Sequence, residues 1–472
     1  MRSRVVLAAG LVLMASALLL QGAPSAAAGA GPAGPYKVKD LRVVSGPSPF
    51  AAGCPGEGAN VVITGHELEP AITVNPADGR NIVAAWKQDV GPAQTRSDLV
   101  ASSRDGGKTW TRSTIPGLTT CTGGVAEIGS DPWVSAGRDG TVYFSGLAAK
   151  LTAGRPETAV VASHSRDGGR TWPAAVTVAP RLVGNEQPSV TGSPARPGRA
   201  YLAFANFLPD VLPRTNSLEF SRTTDGGVTW SSPVLIDQPG QFAIDFAPRI
   251  LVLPGGALLA VFGRADIGLG LGQLYAARSV DEGRTWRPPA LIGSKPIPPP
   301  FPDDTGTPLP NPAMPSAAVA PDGSVYVAFE DSTSASSGAI GVARSRDGGR
   351  TWTSAPLPGV SAYAFEPSVA VDAHGTVGVT WYDLRNDRAG DAALTADVRF
   401  AQSGDRGATW RETHVAGPTD LRTAPLPAHN YVGEYQGLAA LPGKGFAAIF
   451  TLAAPQARNG PTDIFFARIG PG

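Results

Sequence analysis

The sequence predicts an all-β chain folded as a seven-bladed β-propeller of four-stranded blades, and three observations carry that expectation. An eight-residue turn first met at Ser103 to Trp110 recurs at Ser165 to Trp172, Thr223 to Trp230, Ser279 to Trp286, Ser345 to Trp352 and Ser403 to Trp410. The copies stand about sixty residues apart, and each has three strand-like segments before it and a fourth after it. The two ends of the chain hold the pieces of one more blade. Six blades is the alternative count.

The chain begins with Arg2 and Arg4, an apolar run from Val5 to Leu20, and small residues ending in Ala26, Ala27 and Ala28. This pattern predicts a signal peptide over 1–28 and an exported protein; the apolar run is too short to favour a retained membrane span. Residues 29–35 are expected to be a flexible start, and 36–470 a single propeller domain. With 39 basic and 39 acidic residues the net charge is zero, so no basic face points to nucleic acid or a membrane surface, and a monomer is expected. The 58 Gly and 45 Pro, beside 42% hydrophobic residues, fit short strands joined by many turns rather than disorder.

Cys54 and Cys121 are the two cysteines. In an exported chain a disulfide is the default, worth about 4 kcal/mol on the chain-entropy account; two unpaired buried thiols are the alternative.

The turn itself has a physical logic. Asp105, Asp167, Asp225, Asp281, Asp347 and Asp405 can each accept backbone N–H groups within it, and the glycine two residues later supplies a positive φ. The intervening glycine is expected to be dispensable, because Glu282 and Arg406 replace it in two copies. The closing tryptophans read as core anchors.

After the sixth turn, GEYQGLAALPG, GFAAIFTLA and DIFFARIG supply three strands, and YKVKDLRVVSG at 36–46 supplies the fourth. Pairing of the two ends would close the ring and remove open edges.

The turns resemble the Asp boxes, or bacterial neuraminidase repeats, of the sialidase superfamily, over roughly residues 36–470. The resemblance implies that the boxes are scaffold, on the face opposite the binding site, and that functional residues lie where first strands begin and second strands end. Aligning first strands on their X-Pro starts gives the column Glu69, Asp131, Gln187, Ala247, Met314, Glu366 and, without the proline, Tyr435. Sialidases use a tyrosine nucleophile, so by resemblance Tyr435 is the nucleophile, Glu69 or Glu366 its base and Asp131 the proton donor. Arg249, Arg264 and Arg385 are candidates to bind a substrate carboxylate, with Lys87, Tyr382 and Asp383 as further contacts. The family's first arginine motif is missing, because the opening blade reads Glu69-Pro70-Ala71-Ile72.

Trp86 and Trp381 share a second-strand column with Phe262, Phe329 and Phe450, which predicts packing between blades rather than sugar stacking. His66 and Glu67 are expected in a solvated loop near the mouth. The five histidines show no metal spacing, so no metal or other cofactor is expected; Ca²⁺ is conceivable for the carboxylates but unsupported. The proline-rich insertion 287–315 is either a wall of the cleft or a passive connector. The expected function is a secreted, sialidase-like glycoside hydrolase acting on sialic acid or another acidic glycan. The alternative is a non-catalytic propeller that binds an extracellular glycan or protein.

Overall fold

The computed structural model describes residues 34–50, 54, 62–91, 95–152, 155–182, 184–207, 216–296, 314–331, 339–360, 363–388, 390–424 and 432–472. The expected signal peptide and most of the proline-rich insertion lie outside them. The described residues form seven four-stranded antiparallel sheets. Blades 1 to 6 open with Glu67–Val74, Ile128–Ala136, Asn185–Gly192, Ala243–Val252, Ser316–Val319 and Ala364–Val371, and in each the strand order follows the sequence.

Blade 7 takes Gly437–Ala440, Phe446–Ala453 and Thr462–Pro471 from one end of the chain and Tyr36–Val43 from the other. The last two pair from Tyr36 against Pro471 to Val43 against Phe465. The count is therefore seven, not six. Each first strand packs on the first strand of the next blade, and that of blade 7 returns to blade 1, so the seven surround a common axis.

Antiparallel order fixes the two faces. A first strand that starts at one end turns at the other, and the turn between third and fourth strands falls at that second end too. The column of X-Pro starts and the Asp turns are thus on opposite faces.

The Asp turns repeat one bonding scheme. In the first, Asp105 Oδ1 accepts Lys108 N and Thr109 N at 3.0 Å each, Oδ2 accepts the Thr109 hydroxyl at 2.7 Å, and Ser103 Oγ accepts Gly107 N at 2.8 Å. The indoles of Trp110, Trp172, Trp352 and Trp410 donate back to the carbonyl of the second glycine. Both glycine positions turn out to be left-handed: φ is 80° at Gly106 and 94° at Gly107, and Glu282 and Arg406 hold 61° and 65° at the first position. The first position therefore tolerates a side chain but not a different backbone. The second keeps glycine for a steric reason as well, because a Cβ on Gly107 would sit 2.3 Å from the Phe466 ring of the neighbouring blade, and one on Gly283 2.1 Å from Phe220.

A second repeated device links four of the six turns to the blade before them. The residue just ahead of a turn is arginine in blades 3, 4 and 5. Arg222 donates to Glu282 O at 2.5 Å, Arg278 to Gly348 O at 2.7 Å and Arg344 to Arg406 O at 3.2 Å, each on the next blade. Between blades 1 and 2 Asn81 does the same work, donating to Gly168 O at 2.9 Å.

Trp86, Trp381, Phe262 and Phe450 are fully buried and Phe329 nearly so, as the packing expectation required. The cysteines are joined, with Cα atoms 5.1 Å apart. Among the described residues no helix is long and apolar enough to cross a membrane.

Candidate functional site

The first strands of blades 1, 2, 3, 4 and 6 share a bulge. Their register slips between Leu68 and Ala71, Ser130 and Trp133, Glu186 and Ser189, Phe246 and Arg249, and Phe365 and Ser368. At each slip one residue before proline is left-handed: Glu69, Asp131, Gln187, Ala247 and Glu366, with φ between 51° and 57°. Proline disfavours a helical conformation in its predecessor, and a bulge re-aims side chains. Ala247 carries no reactive group yet shares the geometry, so the bent backbone belongs to the blade architecture. What each blade presents on it is free to differ.

Part of what is presented is structural. Asp131 Oδ2 accepts Gln187 N at 2.9 Å and Gln187 Oε1 accepts Ala247 N at 2.8 Å, so column side chains hold the column backbone of the next blade. The rest is an ionic cluster. Lys87 Nζ lies 2.6 Å from Glu69 Oε2 and 3.2 Å from Asp131 Oδ1, with the lysine side chain only 13% exposed. Asp98, its partner in register on the next strand, is fully buried. Glu186 and Glu434 interact electrostatically with the same lysine, and Glu366 with Glu69 and Glu434. Carboxyl groups from blades 1, 2, 3 and 7 thus act on one ammonium, and Glu366 of blade 6 acts on two of those carboxyls.

Their proton affinities separate. Burial disfavours charge on Asp131, but Lys87 and the Ser130 hydroxyl, 2.6 Å away, outweigh it and hold the group below its ordinary value. Burial and the nearby Glu69 push Glu434 up to about 7, even with Lys87 opposing. Burial raises Glu366, Glu186 and Asp98 well above the carboxylate range. Both carboxyl oxygens of Glu366 lack a hydrogen-bond partner. Lys87 is held protonated, the Glu69 and Asp131 charges outweighing its burial.

Tyr435 lies beside this cluster and below it. Its hydroxyl donates to Pro132 O at 2.9 Å, and its ring is 5.4 Å from Trp133 across the axis. Arg249 stacks 3.7 Å above Trp133 and donates to the sulfur of Met314 at 3.6 Å. These four side chains, from blades 2, 4, 5 and 7, meet one another across the ring of blades. Burial, with Glu69 and Asp131 next in weight, raises the phenol well above its ordinary value; burial lowers Arg249 to about 10.

The remaining predicted residues are bound elsewhere. Arg264 pairs with Asp245 at 2.5 Å and with Asp237, and lies 4.3 Å over Tyr275. Arg385 pairs with Asp383 at 2.7 Å and Glu412 at 2.9 Å. Tyr382 is fully buried and exchanges hydrogen bonds with the Thr451 backbone at 2.8 and 2.9 Å. The structure thus gathers Glu69, Asp131, Glu366, Tyr435, Lys87 and Arg249, while Arg385 and Asp383 brace blade 6 and Arg264 ties blade 4 to Asp237 of blade 3. His66 and Glu67 are not in a solvated loop: both are fully buried, His66 on Val90 O at 2.8 Å and Glu67 N on Thr462 Oγ1 at 2.7 Å. The His66 ring is pushed down to about 4 by burial.

Asp98, Glu186 and Glu434 escape the column alignment. Glu186 and Glu434 immediately precede column members, Glu186 at the bulge of blade 3 and Glu434 just ahead of the first strand of blade 7. Asp98 is visible only through its register with Lys87. Among the described residues no group of three or more His, Cys, Asp or Glu side chains has metal-holding geometry.

No family profile matches the chain, and no curated protein matches it in sequence. Solved structures similar to it include a protein of unknown function from Dyadobacter fermentans, at 14% identity over 92% of this chain and 100% of that one, with a TM-score of 0.49. A Hadza microbial sialidase is similar at 15% identity over 92% and 94%, with a TM-score of 0.46. An α-L-arabinofuranosidase from Fusarium graminearum is similar at 13% over 93% and 98%, with a TM-score of 0.47.

Proposed function

We propose that the protein is an exported glycoside hydrolase whose reaction centre is the cluster around Lys87. The observation that supports this most is the divergence of two neighbouring carboxyl groups: Glu434, pushed up to about 7, and Asp131, held ionised by the same lysine. Pairs whose environments drive their proton affinities apart are suited to divide acid and base work. Glu434 keeps a proton at mildly acid pH and donates it to the glycosidic oxygen. Asp131, or Glu69 beside it, acts on the opposite side of the anomeric carbon as base or nucleophile.

Both contact-distance anions of Lys87 are already in place, and Arg249 is committed to Trp133 and Met314. A sialic acid carboxylate would have to displace Glu69 or Asp131. This favours a sugar without a charge at the anomeric carbon over the acidic sugar expected from the sequence. The second reading keeps Tyr435 as nucleophile with Glu69 as base and Asp131 as donor; Glu69 and Asp131 are the charges that act most on its phenol. Against it, the hydroxyl donates to a backbone carbonyl, which cannot take the proton.

The test is release of fluorophore from neutral aryl furanosides and pyranosides and from an aryl sialoside, by wild type, Glu434→Gln and Tyr435→Phe. Turnover of a neutral glycoside that falls about 100-fold in Glu434→Gln and declines above pH 7 supports the proposal. Sialoside turnover abolished by Tyr435→Phe and kept by Glu434→Gln establishes the second reading. No turnover of any glycoside by the folded protein sinks both and leaves a glycan- or protein-binding propeller.

A further inference from the structure

The Asp-turn face is so repetitive that its exceptions are informative. At the first glycine position four copies carry glycine, blade 4 carries Glu282 and blade 6 carries Arg406. The two substitutions meet opposite surroundings. Glu282 is neutralised by arginines of blade 3, pairing with Arg196 and, at 2.6 Å, with Arg199. Arg406 adds a positive charge to a place that already holds Arg344 and Arg346 of blade 5.

These three arginines line a cleft of about 360 Å³ between blades 5 and 6, floored by Tyr326 and walled by Trp410 and the exposed outer strand Thr353–Pro356. Asp405 is its lining acid, and both of its oxygens are held inside the turn by Ser403 and Thr409. Arg346 and Arg406 are exposed. Arg406 meets Asp322 at 3.4 Å through one nitrogen, an ion pair open to solvent and weak on that account. Arg344 lies 5.5 Å over the Tyr326 ring and donates to Arg406 O at 3.2 Å and Ser324 Oγ at 3.4 Å, so it adds positive charge to the cleft and braces the backbone of Arg406. Arg406 stands on a left-handed backbone, φ 65°, that favours glycine.

We propose that this cleft is a binding site for an acidic polysaccharide, distinct from the cluster at the other face. Guanidinium forks suit the planar carboxylates of uronate units, and the indole of Trp410 suits the apolar face of a sugar ring. The outer strand Thr353–Pro356 that lines it is exposed along its length, so a polymer can reach the cleft from outside. Its place on the face away from Lys87 makes it an anchoring site, holding polymer while the channel mouth stays free. The inference does not depend on the catalytic reading.

The experiment is affinity electrophoresis and calorimetry of the full mature chain with polygalacturonate, with dextran as the neutral polymer and a polyphosphorylated peptide as the competing anion. Polygalacturonate retards the protein, dextran does not, and added salt weakens binding. Arg406→Gly, which restores the residue of four other copies and so preserves folding, weakens binding about tenfold, and Arg346→Ala does likewise. Arg284→Ala, an exposed arginine on the turn of blade 4, leaves it unchanged. Equal binding by Arg406→Gly and wild type, equal retardation by dextran, or tighter binding of the phosphorylated peptide each overturns the proposal.

Discussion

The Asp-turn face and the channel mouth are built from the same blades, yet they use repetition in opposite ways. At the turns both backbone and side chains repeat: serine or threonine, aspartate, glycine and threonine make the same bonds copy after copy, and the tryptophan makes its bond in four of the six. At the mouth only the backbone repeats. Five blades hold the same left-handed residue before proline, and on it they set Glu69, Asp131, Gln187, Ala247 and Glu366. Where chemistry repeats, it serves the fold; where an identical backbone carries different groups, the fold has been satisfied and the groups are available for something else.

Within the Asp turn the two glycine positions differ in what a Cβ costs. Gly107→Ala drives a methyl into Phe466 and forces a left-handed alanine, and the two effects together are expected to cost about 3 kcal/mol. Gly106→Ala shares the backbone strain, but its Cβ meets only the end of Arg468, at 3.0 Å, so about 1 kcal/mol is expected. Denaturant melts of the pair check this. Equal losses would mean that packing against the neighbouring blade is not what fixes the second glycine. The links between turns come next in size: Arg278→Ala removes a partly buried charge-assisted bond to Gly348 O and is expected to cost about 1.5 kcal/mol.

How much of this was legible in sequence follows from the same contrast. The boxes, the blade count and the closing strand were readable because repetition is a local signal: the motif needs no partner outside its own turn, and the shared blade follows from the missing strand. The column was readable for the same reason, through its prolines. What lay beyond reach depended on partners. Nothing local marks Glu434 or Glu186 as facing the lysine of another blade. Arg264 and Arg385 looked free because Asp237, Asp245 and Glu412, which pair with them, become visible only once strands are paired, although Asp383 stands two residues from Arg385. His66 and Glu67 looked solvated because their burial comes from Val90 and from Thr462, the latter nearly four hundred residues away.

The faces respond to pH with opposite sign. Hydrogen bonds from the turn threonines hold Asp167, Asp225 and Asp281 at about 2, against an ordinary 3.8. Such depressed groups contribute stability above their unfolded value and lose it as pH falls through the folded one, so the turns weaken between about pH 4 and 2. Glu434 is raised to about 7 from 4.5. Its contribution is full below 4.5 and is lost as pH rises through 7. Melting temperature against pH should therefore be a dome. Glu434→Gln flattens its neutral side, and Thr171→Val, which removes a hydroxyl from Asp167, flattens its acid side. A Glu434→Gln curve parallel to wild type above pH 5 would mean that the carboxyl is not held protonated.

The smallest expected effect asks whether the bent backbone at the mouth is architecture or catalytic strain. Strained conformations gather at functional sites, and Glu69 and Asp131 alone would invite that explanation. Ala247 argues otherwise, since it is buried, unreactive and at φ 51°. Ala247→Gly should relieve the left-handed strain and stabilise the protein by about 0.5–1 kcal/mol, the flexibility that glycine gives the unfolded chain offsetting part of the gain. Turnover should not change. A stabilised variant with unaltered activity places the strain in the shared blade geometry, leaving function to the side chains. A destabilised one would mean that the ring relies on the Ala247 methyl for packing and that its φ is imposed by contacts rather than tolerated despite them.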